Sequence, residues 1–204
     1  MGNRTGAAVP APVAAGDDSV TRLERAALDW IEPYWNAHHL VRTRDWVLEL
    51  EPTAAEALRL AALTHDIERH YPGGPVDDLT RPPEETMDYR RAHSERSAAI
   101  VGEWLGEQGA EPMLITQVEE LVRLHETGGT GAADVLQAAD SLSFLEVNVP
   151  VTLAWIAGGR CDADRARDQH RWMYERIRLA SAKELARPYY ERAIAAHEEA
   201  AARA

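Results

Sequence analysis

Six side chains of metal-ligand type stand along the chain in the order His39, His65-Asp66, His93, His125, Asp140. The adjacent His65 and Asp66, preceded by Thr64, close an otherwise apolar segment. Neighbouring residues on a helix point about 100° apart, so both reach one ion when it sits off the helix end or between their directions. Taken alone, the pair is weak evidence and reads first as a core histidine with a hydrogen-bonded aspartate beside it. The wider order changes the weighting, because each group falls on a different predicted helix. His39 leads Leu40, Val41 and Arg42; His93 lies ahead of the apolar run 98–105; His125 closes a segment containing Leu121, Val122 and Leu124. Asp140 sits between Ala138-Ala139 and Leu142, and a carboxylate in so apolar a setting is costly to bury unless paired or bound to a cation. Four imidazoles and two carboxylates suit a divalent transition metal (Fe, Mn, Ni or Co), one ion or two bridged by a carboxylate, better than magnesium alone. His38 adjoins His39 and competes for its ligand position, since the sequence leaves the helix register open.

The elements that must position these groups read as helix after helix. Apolar residues at three- and four-residue spacing alternate with breaks rich in Gly and Pro, and no alternating strand segment is present. The first helix is predicted from about Ser19, as N-cap, to near Trp35, kinked or ended by Pro33; the second covers about 37–50 and stops before Pro52. Thr53 is expected to cap a third, about 54–70. Residues 71–83, with Pro-Gly-Gly-Pro at 72–75 and Pro-Pro at 82–83, form the longest break, and long loops tend to carry function. Further helices are expected at about 84–108, 112–126, 132–147 and 150–157. A long one follows from Asp162 or Asp164 to about Leu185, where Pro188 kinks it or starts the last. The fold class is therefore all-α, a single-domain helical bundle over 18–204 preceded by a disordered arm, 1–17, whose Ala, Gly and Pro cannot bury enough surface to order it.

Composition narrows the partners. With 204 residues, 45% hydrophobic and 27% charged, the chain is long enough for one core. Acidic residues number 34 against 22 basic, a net charge of -12, which disfavours nucleic acid polymers and anionic membranes. One cysteine, Cys161, excludes an intrachain disulfide and a Cys-rich zinc site and fits a reducing cytoplasm. No run approaches the ~20 apolar residues of a membrane span, and the first 18 residues lack a secretory signal's apolar core. A small-molecule substrate is the expected partner; a homodimer through an apolar helix face is compatible with the sequence, although no feature fixes it.

Basic residues select the anion. Arg69, Arg96, Arg171 and Lys183, the chain's only lysine, are candidate phosphate contacts, the guanidinium binding bidentately and the ammonium as a point charge. Asp66, Glu68 and Lys183 are the candidate catalytic residues, Glu68 as a general acid or base. His70 faces either substrate or solvent beside the Pro-Gly-Gly loop, and His170 and His197, in charge-rich stretches, read as solvated. The six tryptophans, Trp35 among them, read as core. Gly128-Gly129-Thr130-Gly131 lacks the strand and spacing of a phosphate loop and reads as a helix break.

The order His, His-Asp, His, His, Asp, with the start His39-Leu40-Val41-Arg42, resembles the HD-domain superfamily of metal-dependent all-α proteins over most of 36–140. The resemblance implies one metal on His39, His65, Asp66 and Asp140, and a second on Asp66 as bridge with His93 and His125, the six-ligand dinuclear arrangement. It departs from the family's phosphodiesterase branch, where Gly and Lys commonly follow the His-Asp and this chain has Ile67, Glu68 and Arg69. The activity implied first is a phosphohydrolase acting on a small phosphate ester or nucleotide. The same ligand set is similar to that of mixed-valent di-iron oxygenases that cleave a small polyol or an organophosphonate. A non-catalytic metal-binding helical protein is the third alternative.

Overall fold

Thr21 starts the first helix with a reciprocal cap: its hydroxyl accepts from the Glu24 amide, and the Glu24 carboxylate accepts from the Thr21 amide, both at 3.1 Å. The structure is a computed structural model describing residues 20–202; the arm expected over 1–17 and the expected Ser19 cap lie outside the described residues. Helix α1 (Arg22–Ile31) ends two residues before Pro33, and α2 (Ala37–Leu50) ends ahead of Pro52. The third, α3 (Glu56–Thr64), starts after Ala55, without a side-chain cap from Thr53, and stops well short of the expected His70. Its last turn is closed by side chains: the Thr64 hydroxyl donates to the Leu60 carbonyl at 2.8 Å and His65 Nδ1 to the Ala62 carbonyl at 3.0 Å. The chain then tightens into a 3-10 turn, Ile67–His70.

After residues 71–86, which contain one 3-10 turn at Pro83–Glu85, come α4 (Met87–Glu107), α5 (Pro112–Leu124) and α6 (Gly131–Val147). Pro112 takes the favoured first-turn position of α5, and Thr130 caps α6. Helices α7 (Val149–Ala157), α8 (Ala163–Glu175, capped by Asp162) and α9 (Ala180–Ala201) complete the described chain. The long helix expected from Asp162 to Leu185 is thus two helices parted at 176–179, and α9 runs through Pro188 instead of breaking there. The break falls where Arg176 turns inward and Ile177 enters the core, a tertiary demand that periodicity does not carry.

The fold is all-α, with no strand among the described residues. Helix α6 lies at its centre, packed on α2, α3, α5, α8 and α9, while α4 pairs with α5 and α8 with α9. Leu40, Leu60, Leu63, Ile67, Leu105, Leu136, Leu142 and Leu145 are fully buried between them. Three expectations are corrected here. Trp35 is 62% exposed, because α1 has ended and the connecting turn carries its ring outward. His170 and His197 are both buried: they face each other across α8 and α9 with ring centroids 4.8 Å apart, and each contacts the Thr152 hydroxyl of α7.

Candidate metal centre

Three helices and two helix ends deliver the six expected ligands to one buried place. His39 comes from α2, His65 and Asp66 from the end of α3, His93 from α4, His125 from the end of α5 and Asp140 from α6, and all six are buried. They form two groups, His39, His65 and Asp140 in one and Asp66, His93 and His125 in the other, with the potential ligand atoms of each within 4.8 Å of one another. His39 Nε2 and His65 Nε2 lie 3.1 and 3.5 Å from Asp140 Oδ1. His93 Nε2 and His125 Nε2 lie 2.8 and 3.9 Å from Asp66 Oδ1. The groups adjoin, since the His65 and His125 rings are 5.0 Å apart. His39, not its neighbour His38, is the residue turned into the group.

The outer ring nitrogens settle the tautomers. His39 Nδ1 donates to the Ser143 hydroxyl at 2.8 Å, whose own proton goes to the His39 carbonyl. His65 Nδ1 donates to the Ala62 carbonyl, His125 Nδ1 to the Val122 carbonyl at 2.7 Å, and His93 Nδ1 to Glu68 Oε1 at 2.7 Å. In a neutral ring an Nδ1–H so held leaves Nε2 with its lone pair, the arrangement that second-shell partners impose on metal-bound histidines. The Nε2 atoms of His65 and His125 are buried without a hydrogen-bond partner, a cost that a bound cation removes. The donor set fits a bound metal cation on this ground.

Each carboxylate shows one oxygen to its histidines and the other to an arginine. Asp66 Oδ2 accepts from Arg69 at 2.8 Å, and Asp140 Oδ2 accepts from Arg176, which also reaches Glu126 and Ser141. Burial opposes ionisation of both aspartates, but Arg69 and His65 around Asp66, and Arg176 and His39 around Asp140, hold them well below the usual carboxylate range. For Glu126, burial is likewise outweighed by Arg90 and Arg176, which bring it to about 2. Burial drives His125 down to about 4, so its ring is neutral and free to ligate at pH 7. Burial and the Arg69 charge oppose protonation of His93, and the carboxylates of Asp66 and Glu68 outweigh them and raise its pKa.

The remaining sequence candidates separate by place. Glu68, expected as an acid or base, is 1% exposed, with Oε1 on His93 and Oε2 on Arg96 at 2.6 Å; one oxygen orients His93 and the other is held by Arg96. Arg96 spends its donors on Glu68 and on the loop carbonyl of Pro72 at 2.8 Å. Arg69 lines the cavity against the metal groups. Arg171 pairs with Asp168 at 2.6 Å, and Lys183 donates to the Glu175 carbonyl at 3.1 Å; neither lines that cavity or the cleft beside it. His70 is exposed. Residues outside the sequence candidates include Arg90, Glu126, Ser143 and Arg176. A signal existed for Glu126, which follows His125 as Asp66 follows His65; the two arginines carry none, being two among many.

A cavity of about 30 Å³ touches His39, Asp66 and Asp140, and it shares Arg69, Arg90, Phe144 and Gln169 with an outer cleft of about 240 Å³. The long break between α3 and α4 lines that cleft with Pro75, Val76, Asp77 and Leu79.

No curated protein and no solved structure matches the chain significantly. Residues 24–151, which hold all six candidate ligands, match the family described as Domain of unknown function (DUF4202). With more than half of its length matched, the chain belongs to the DUF4202 family.

Proposed function

We propose that the protein is a metal-dependent phosphohydrolase acting on a small phosphate ester. The reading is carried by the four imidazoles, each with Nδ1 committed to a fixed acceptor and Nε2 turned towards an aspartate oxygen. The resemblance of the ligand order to the HD-domain superfamily supports it. His39, His65 and Asp140 would hold one ion, and Asp66, His93 and His125 a second. A divalent ion bound there supplies a Lewis acid and lowers the pKa of a coordinated water.

The chain's own residues do the rest. Arg69 and Arg176 hold Asp66 and Asp140 ionised and fix which carboxylate oxygen faces the histidines. Glu68 keeps the His93 proton on Nδ1. The cationic junction of Arg69 and Arg90 attracts an anion into a site that burial shields from bulk water. A narrow cleft on an acidic surface admits a small ester and repels a polyanion. The same donor set would serve a di-iron oxygenase, so the deciding test combines elemental analysis of protein purified without added metal with an anaerobic assay. Phosphate release from a panel of esters with manganese and without oxygen supports the proposal. Two coupled irons per chain with oxygen uptake, and no phosphate released, overturns it.

A further inference from the structure

The cleft beside the candidate ligand groups is lined by residues with buried, unpaired hydrogen-bonding atoms. Arg90, on α4, is 3% exposed and lines both the inner cavity and the outer cleft. Only its Nη1 is bonded, to the two Glu126 oxygens at 3.3 Å each; Nε and Nη2 are buried without a partner. Its guanidinium lies 3.6 Å from the centre of the Trp172 ring, which holds its plane. In the outer cleft alone, Asp77 and the 3%-exposed Asn148 each bury an Oδ1 that accepts nothing. An unpaired buried polar atom costs about 1–3 kcal/mol, more when charged, so these atoms describe the ligand that would complete them.

We infer that the cleft is a substrate subsite for a compact phosphate monoester whose alcohol part carries hydroxyl or ammonium groups. Arg90 takes the phosphate at the junction with the metal groups, while Asp77 and Asn148 accept from the donors of the alcohol part. The cleft lies below the roughly 300–1,000 Å³ of sites for drug-sized ligands, which favours a compact alcohol. The inference rests on the proposed phosphohydrolase for which end reacts, but its binding chemistry is independent of metal.

Calorimetric titration of the full chain, metal-loaded and after chelation, tests it with three probes: glycerol 3-phosphate, phosphoethanolamine and ethyl phosphate, which has no donor. One of the first two is expected to bind about tenfold tighter than ethyl phosphate, the worth of one satisfied buried acceptor. Asp77→Ala and Asn148→Ala should shrink that preference to within about threefold while ethyl phosphate affinity holds. Arg90→Gln should weaken all three about tenfold with metal content unchanged, and Arg90→Lys, which keeps the buried charge, should fall between. Equal binding of the three esters, or a preference that survives both wall substitutions, overturns the inference, as does binding indifferent to both Arg90 variants in folded protein. Arg90-dependent binding in a chain that takes up no metal even when metal is supplied would sink the proposed hydrolase and leave the subsite standing. Metal present with no Arg90 effect would do the reverse.

Discussion

His93 is gripped from both sides, by Glu68 on Nδ1 and Asp66 on Nε2, at 2.7 and 2.8 Å, and that makes Glu68 a positioning residue. Glu68→Gln is expected to lower metal affinity about 10–100-fold, the usual effect of losing a ligand's orienting partner, read by competition with a chromogenic chelator. Asp66→Ala should remove metal from its group while leaving a folded, less stable bundle; elemental analysis showing unchanged metal would refute the ligand assignment. Away from the centre, His170 is held to about 3 by burial first and by the nearby His197 charge second. Its folded value lies below the ordinary 6.5, so as pH falls the unfolded chain takes up the proton and the folded chain does not. Stability is therefore lost between about pH 6.5 and 3, by about 1.4 kcal/mol per pH unit for this one group. Urea midpoints of chelated protein at pH 7 and pH 5 should differ less in His170→Gln than in the parent chain. These histidines show the limit of local reading: their burial comes from the meeting of α7, α8 and α9, elements distant in sequence.

At the scale of elements, the abrupt end of α3 decides the site. Were the helix continuous through His70, His65 and Asp66 would keep a helical step between them; the change to a 3-10 turn at Ile67 accompanies their division between the two metal groups. The polar turn at Thr64 was legible, whereas the stop itself depends on side chains capturing the last carbonyls. Helix α6 carries Asp140 on one face and core leucines around it. Leu142→Ala, at a fully buried position, should cost about 2–5 kcal/mol in denaturant unfolding. Removing the Thr21 cap by alanine should cost about 1 kcal/mol; a loss as large as that at Leu142 would contradict the cap's local character.

At the scale of the whole molecule, the candidate ligand groups draw on α2, α3, α4, α5 and α6, which meet at one point. A ligand that binds only the folded chain stabilises it by mass action, about 2.7 kcal/mol at a hundred times its dissociation constant. Chelation should therefore lower Tm, and re-addition of the native metal should restore it, in thermal unfolding followed by circular dichroism; a Tm insensitive to metal would count against the centre. No helix among the described residues is long and apolar enough to cross a membrane. The acidic surface and the arginine-lined cleft divide the charge, with net -12 over the chain and Arg69, Arg90 and Arg160 at the cleft.

The sequence by itself determined the helical class and the ligand types, because apolar periodicity is local and a metal's donor preference is a property of residue type. It also carried the choice of His65-Asp66, His93, His125 and Asp140, through their order on separate amphipathic segments. Only the tertiary structure decided that His39 rather than His38 turns inward, that Glu68 orients His93, that Arg176 pairs with Asp140, and that Arg171 and Lys183 lie away from the cavity. Each of these depends on where a helix stops and which face its neighbour covers. Such choices are made by burial and hydrogen-bond satisfaction between residues as far apart as His39 and Ser143, and no local pattern records them.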